Sequence, residues 1–430
     1  MKTLKNTEKS RTRGGILLAA AMAVGIAAWA PASVAANFSE DLATMFTEGE
    51  FDVNFRYRYE FVDVDNALKN ANASTLRTRL VFKTAKWNDF DVTINMDDVR
   101  PIVGHNFNDT RNGKTQYSLV ADPKGTDLNI AALTYSGLKD TTIIGGRQRI
   151  IRGNARFIGN VGWRQNEQTY DALSVNYKGS NFSANYAYID RVKRIFGPDD
   201  PANAATLPAT ANAFNSDSHL LDAAYTMSEA LSVSVYGYFL DFKNATALSS
   251  QTIGARIAGA PKIGDNWAIT YAAEYATQDD YGDNTNEYSA DYVLAELGFK
   301  WNWLGLKAGY ELLEGSGVAG EQFLTPLATL HAHNGWVDRF LVTPANGLED
   351  TYIAASAKVS KGTFKLILHD FSADTGGGDY GTEVDFLAKW PLGKHYSVLG
   401  KIGVYSGDSN ATGVFAIDTT KAWLMLTAAF

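Results

Sequence analysis

The chain of 430 residues contains no cysteine, which excludes disulfides, iron–sulfur clusters, thiolate zinc sites and cysteine nucleophiles. Proline is scarce, with 10 residues against 38 glycines. Beyond the N-terminal segment no apolar run approaches the roughly 18 residues of a membrane helix, which excludes a helical membrane protein. Aromatic residues make up 12% of the chain, yet the mean hydropathy is slightly negative. Apolar side chains are therefore spread thinly, as they are along amphipathic strands.

The N-terminal segment has the pattern of a secretory signal peptide. Five basic residues precede an apolar stretch over 15–30, and small residues follow near Ala36. The sequence predicts a signal peptide over 1–36, cleaved after Ala35 or Ala36, and a single domain over 37–430. The alternative is an N-terminal membrane anchor, for which the apolar stretch is short. Without 1–36, the chain keeps 34 basic and 46 acidic residues. This net charge of −12 suggests no nucleic-acid partner.

Apolar and polar residues alternate strictly through 51–61 (FDVNFRYRYEF). This period of two indicates a β-strand, and about 9–11 residues is the length with which a tilted strand crosses a bilayer. Similar segments recur to the end of the chain. The eighteen predicted strands lie near 51–61, 75–83, 90–98, 127–136, 141–150, 170–178, 181–190, 219–227, 230–240, 251–258, 266–276, 288–299, 303–312, 350–359, 361–370, 382–390, 396–405 and 421–430.

The connections between these segments alternate between short turns and long loops. Alternation of this kind is typical of outer-membrane barrels. The sequence thus predicts an all-β fold, a transmembrane antiparallel β-barrel of about 18 strands, with short periplasmic turns, long extracellular loops and both termini periplasmic. The terminal Phe430 fits recognition by the barrel-assembly machinery of a Gram-negative outer membrane. A soluble multi-domain β protein is the alternative.

A closed barrel of this size encloses water, so the polar face of each strand is expected to line a channel. In the fifth strand, Ile144 and Ile150 are expected to face lipid. Arginine favours anions because its planar fork binds carboxylates. Alternatively, acidic residues could neutralise the arginines; the candidates are Glu60, Glu274, Glu296, Glu383 and Asp385. The predicted pore-lining arginines are Arg56, Arg58, Arg77, Arg79, Arg147, Arg149 and Arg152.

The connection over 313–349 is too long and too apolar for a plain solvated loop, and it is expected to narrow the mouth. Its candidate constriction residues are His331, His333, Trp336, Asp338 and Arg339. The H-x-H pair lacks placed carboxylates, so no metal is predicted there. A second loop, Asp279–Glu287, carries several oxygen ligands and could hold Ca²⁺, or it could be a solvated acidic loop that meets lipopolysaccharide.

The chain has no G-x-S-x-G, H-E-x-x-H or P-loop motif, so no catalytic residue, no enzyme activity and no other cofactor are predicted. An outer-membrane enzyme or an adhesin remains an alternative class. Arginines in a plugged barrel would each need a partner, which favours transport over an adhesin. The expected partners are outer-membrane lipids, lipopolysaccharide and small anionic or saccharide solutes.

Three segments resemble the alginate-export family of outer-membrane barrels: 54–84 (NFRYRYEFVDVDNALKNANASTLRTRLVFKT), 146–177 with its GRQRIIRGN and GWRQNEQTYDALSVNY, and 325–352 (TPLATLHAHNGWVDRFLVTPANGLEDTY). The resemblance implies a basic lumen that passes anionic polyuronate. Every predicted periplasmic turn is short, which leaves no room for a plug against leakage. We therefore expect passive diffusion of small anionic or sugar-like solutes, with export of an anionic polysaccharide such as alginate as the alternative. The resemblance assigns solute binding to Arg77, Arg79, Arg147, Arg149 and Arg152.

Overall fold

The computed structural model describes residues 32–197 and 211–430, with side chains from Glu40 onward. It begins with one helix, α1 (Ala32–Thr47). The predicted signal peptide lies almost wholly outside the described residues, and its cleavage stays a prediction. Nineteen strands follow: β1 Glu50–Val64, β2 Ala71–Lys83, β3 Phe90–Asn106, β4 Gly125–Leu138, β5 Thr141–Gln148, β6 Thr169–Lys178, β7 Phe182–Lys193, β8 Ala213–Ser228, β9 Leu231–Leu240, β10 Ser250–Gly259, β11 Lys262–Ile263, β12 Trp267–Asp280, β13 Ser289–Trp301, β14 Leu304–Leu313, β15 Leu348–Val359, β16 Gly362–Ser372, β17 Asp379–Leu392, β18 Tyr396–Gly407 and β19 Thr419–Ala429.

The strands form one closed antiparallel sheet. Each strand pairs with its neighbours in the chain, and β1 pairs with both β2 and β19, so the sheet has no free edge. The two-residue β11 belongs to the turn between β10 and β12, which leaves eighteen wall strands as predicted. In a closed sheet the strands pair their backbone N–H and C=O groups with each other, and lipid offers these groups no partner. Within the described residues, no helix is long and apolar enough to cross a membrane.

All eighteen predicted strands coincide with observed ones, but several extend further toward the long loops. β3 continues to Asn106, and β8 begins at Ala213 rather than near 219. A register shift between Ile189 and Arg191 interrupts the pairing of β7 with β8. A bulge of this kind puts the alternation of apolar and polar residues out of phase. The strands predicted from that alternation therefore end before the observed strands do.

The short turns and the described chain ends share one rim of the barrel. The backbone amide of Val53 donates to the carbonyl of Phe430 over 3.0 Å. Helix α1 packs at the same rim, where Met45 is buried and the indole of Trp87 donates to Asp41 over 3.1 Å. The alternation of apolar and polar residues does not indicate this helix, which lies before the first alternating segment.

The two faces of the wall differ sharply. Large apolar side chains such as Leu173, Ile253 and Leu424 are exposed on the outward face, whereas the inward face carries buried polar groups. Parts of the chain itself occupy the barrel interior. Two long connections, residues 149–168 (the first loop) and 314–347 (the second loop), fold inward, and their apolar side chains form one cluster with wall aromatics.

Candidate functional site in the lumen

The inward arginines of the first strands meet carboxylates on a strand and in the first loop. Arg79 donates to both oxygens of Asp97, at 2.7 and 2.6 Å, and also to Glu167 at 2.8 Å. Arg149 donates to both carboxylate oxygens of the same Glu167, at 2.7 and 2.5 Å. Burial alone would raise the pKa of the Glu167 carboxyl, but Arg149 and Arg79 keep that pKa below its usual range. This four-residue cluster is neutral overall.

Two further predicted arginines are also neutralised. Arg58 is fully buried and lies 3.0 Å from Asp122, which precedes β4. Its guanidinium stacks on Trp163 of the first loop at 4.4 Å. Arg152 forms an ion pair with Asp222 of β8 at 2.8 Å. Sequence reasoning did not single out Asp97, Asp122, Glu167 or Asp222 as partners, because strand pairing and inward loops bring them there.

Arg56 and Arg77 differ from the other inward arginines. They lie opposite each other in the pairing of β1 with β2. Arg77 donates to the side-chain oxygen of Asn54 at 2.7 Å, and Arg56 donates to Gln165 at 2.9 Å and to the carbonyl of Gly162 at 3.0 Å. Among the described residues, neither arginine has a carboxylate within 4.0 Å. Two like charges thus stand side by side with neutral partners only.

The prediction that Arg147 lines the pore is wrong. Its guanidinium binds Asp171 at 2.7 and 2.8 Å, and Asp171 lies on the same face of β6 as the exposed Leu173 and Tyr177. The inward residue is instead Gln148, which is buried against Ser174. The phase of β5 is therefore the reverse of the expected one. The assignment of Ile144 and Ile150 to lipid fails with it, because Ile144 pairs with the inward Ser174 and Ile150 is buried among the loops.

The two inward loops bind each other and the wall. The amide of Gly159 donates to the carbonyl of Leu327 at 2.8 Å, and Thr329 donates to Ala155 at 3.0 Å. Arg156 of the first loop crosses to the buried Glu311 of β14 at 2.7 Å and to Asn334 of the second loop at 3.0 Å. The loops therefore form one unit that occupies part of the lumen.

The predicted constriction residues all lie within this unit. His331 binds Asp338 at 2.6 Å, and Asp338 also meets Arg164 of the first loop at 3.1 Å. Trp336 is buried against the wall. The guanidinium of Arg339 lies 5.2 Å from the ring centre of Tyr405. The ring of His333 is half-buried, its Nε2 has no partner among the described residues, and burial lowers its pKa to about 4.

The five predicted acidic residues do face inward, and each has a polar partner. Glu60 meets Arg164 at 3.0 Å, Glu274 meets Arg256 at 2.6 Å, and Glu296 binds Lys307. On β17, Glu383 accepts the amides of Trp336 and Val337, and Asp385 accepts that of Trp336 at 3.1 Å. Gly335 has a φ of +82°, and a Cβ there would collide with the Glu383 carboxylate. The backbone of the second loop is thus fitted to this carboxylate pair.

In the part of the chain that the structure describes, no group of three or more histidines and carboxylates is placed to hold a metal ion. In the predicted calcium loop, the side-chain oxygen of Asp280 accepts the backbone amide of Tyr288 at 3.3 Å. Calcium binding over Asp279–Glu287 stays a prediction without structural support.

A cavity of about 580 Å³ lies on β4–β7 toward the short-turn rim. Thr142, Asn176 and Asn185 line it and pair with each other in register across β5, β6 and β7. Their hydroxyl and amide groups can form hydrogen bonds, and the charged Asp140 and Lys178 also line the cavity.

Comparison with known proteins supports the fold. No family model matches the sequence, and no curated protein matches it. Solved structures do match: Acinetobacter baumannii OccAB4 has a TM-score of 0.65 and 14% identity, with 89% of this chain and 98% of that chain covered. Pseudomonas aeruginosa OccK9 (OpdG) has a TM-score of 0.67 and 13% identity over 90% and 99%. OpdK of Pseudomonas aeruginosa, solved with vanillate, has a TM-score of 0.67 and 10% identity over 90% and 99%.

These neighbours are outer-membrane porins, and this chain shares their barrel fold. At such low identity the likeness shows the fold alone. The resemblance to the alginate-export family finds no support in the comparisons.

Proposed function

We propose that this protein is an outer-membrane channel for passive diffusion of small hydrophilic solutes and that it prefers carboxylates. The observation that carries the proposal is the Arg56–Arg77 pair, whose two charges face the interior without a carboxylate within 4.0 Å among the described residues. A low-dielectric wall focuses such a field into a channel. The paired arginines elsewhere add little because their charges cancel locally.

The other structural features are consistent with this function. The two inward loops narrow the lumen, which suits small solutes better than a polymer. OpdK, one of the porins of the same fold, was solved with vanillate, a small carboxylate. The cavity on β4–β7 would then offer hydrogen bonds to solute hydroxyl groups after the carboxylate has passed the arginines.

The test is selectivity in a planar bilayer. The wild type should show discrete open-channel currents and, in a salt gradient, a reversal potential on the anion side. The double variant R56Q/R77Q should move the reversal potential toward cations and weaken block by small carboxylates. The shift should shrink in strong salt, because the Debye length falls from about 10 Å at 0.1 M to about 3 Å at 1 M.

R147Q is the matched control, since it removes one arginine charge from the outward face. Its reversal potential should stay that of the wild type. A cation-selective wild type, or a double variant with unchanged selectivity, would contradict the carboxylate preference. A correctly folded protein without any current would contradict the channel itself.

A further inference from the structure

Three tryptophans from three parts of the chain surround one lysine. The ammonium of Lys401, on β18, lies 3.6 Å from the ring centre of Trp336 in the second loop. It lies 4.3 Å from Trp163 in the first loop and 5.3 Å from Trp423 on β19. Lys401 is only 7% exposed. Ring faces attract cations, and more strongly where water is excluded.

A histidine closes the remaining side of this aromatic cage. The Nε2 atom of His331 lies 2.7 Å from the Lys401 ammonium, and its Nδ1 atom lies 2.6 Å from Asp338. An ammonium can only donate, so Nε2 accepts and the proton of the neutral ring sits on Nδ1, where it is donated to Asp338. The His331 ring also stacks on Trp163 at 4.5 Å. No carboxylate lies within 4.0 Å of Lys401 in the described chain.

Besides their separate contacts with the wall, both inward loops therefore share one contact with it, at Lys401. Trp163 comes from the first loop, and Trp336 and His331 come from the second, while Lys401 is fixed on the barrel. Outward movement of either loop would remove an aromatic face from this buried lysine, which has no carboxylate within 4.0 Å among the described residues. Loops of this kind sample open states at a frequency set by the contacts that must break.

We propose that Lys401 is the latch of the channel: the tryptophan cage is an ammonium-binding site, occupied by the protein's own lysine, that holds both loops in the lumen. The inference rests on the proposed function only in requiring that the protein conducts ions. It concerns loop position, whereas the carboxylate preference concerns charge.

The experiment compares K401A with K401M and the wild type in single-channel recordings at pH 7.5. The wild type should hold one main conductance level. K401A should switch to a wider level about tenfold more often, as loss of a desolvated cation–π contact predicts. Ethylammonium chloride should lower the switching frequency of K401A to that of the wild type, because the small cation fits the vacated cage. It should not lower the switching frequency of K401M, whose thioether chain still fills the cage without a charge.

A second variant guards against misfolding of the first. W336L removes the nearest ring, so it should switch as K401A does but resist rescue by ethylammonium. Folding of each variant is checked by its heat-dependent mobility on detergent gels. Unchanged switching in folded K401A, or equal effects of ethylammonium on K401A and the wild type, would overturn the latch. Normal switching in folded K401A overturns the latch whatever its selectivity, and the carboxylate preference is tested separately by R56Q/R77Q.

Discussion

The two inward loops are held in place by different chemistry. The first loop brings charges to the early strands: Glu167 binds two arginines, and Arg164 binds Glu60. The second loop brings backbone amides and rings to the late strands, where Glu383 accepts two amides and Phe340 packs on Phe371 at 4.5 Å. We therefore expect the first loop to set how much charge in the lumen is left uncompensated, and the second loop to set the width of the passage.

Breaking the link between the two loops should have the largest effect. Arg156 of the first loop forms a buried ion pair with Glu311 and also bonds Asn334 of the second loop. In R156A the Glu311 charge stays buried without its partner, which typically costs about 3–5 kcal/mol. We expect a lower midpoint in guanidinium unfolding of the detergent-solubilised protein and wider, noisier channels. R156A/E311Q should recover part of the loss, and equal losses in both variants would contradict this account.

Acid should loosen the second loop but not the first. Burial lowers the pKa of His333 to about 4 and that of His331 well below its usual range. An opened loop exposes these rings to water, where their pKa is about 6.5. The closed state therefore has its full stability above about pH 6.5 and loses it as the pH falls toward 4. At pH 5 the loss is about 2 kcal/mol for His333 alone, or more than tenfold in open events.

Single-channel recordings between pH 7.5 and 5 check this expectation. H333Q should weaken the response, because a glutamine does not titrate, and His331 should supply the part of the response that remains. Glu167 has a lowered pKa, so the first loop keeps its carboxylate charge over this range. A response that is the same in H333Q and in the wild type would contradict the assignment to His333.

Removing the carboxylate of the first loop should increase anion preference. In E167Q, Arg79 keeps Asp97 while Arg149 loses its carboxylate partner. One positive charge is thereby freed in the lumen. Because Coulomb effects scale with charge, the reversal potential should move toward anions by about half the opposite shift of R56Q/R77Q. D171N, which removes a carboxylate from the outward face, is the control. A shift toward cations would show that Glu167 does not screen the arginines.

The sequence alone was sufficient for the barrel but not for the partners inside it. Alternation located all eighteen wall strands, because a wall between lipid and water imposes a period of two on each strand. It could not predict that Asp97 pairs with Arg79 or that Glu167 pairs with two arginines. These contacts depend on strand register and on loops that fold inward. The same limit explains why the prediction that Arg147 lines the pore was wrong. The segment GGRQR carries polar side chains on both faces, so its composition left the phase of β5 undetermined.

The smallest effect is expected from the outward pair of Arg147 and Asp171. Their side chains are 22% and 31% exposed on the face that points away from the lumen. R147Q should therefore leave both conductance and selectivity unchanged. R79Q removes the same charge from the inward face of β2, where Asp97 and Glu167 would lose a partner, and its reversal potential should move toward cations. Equal shifts in the two variants would place Arg147 in the lumen after all and would contradict the phase of β5. A shift in R79Q alone would confirm that one residue of register separates an arginine that acts on solutes from one that does not.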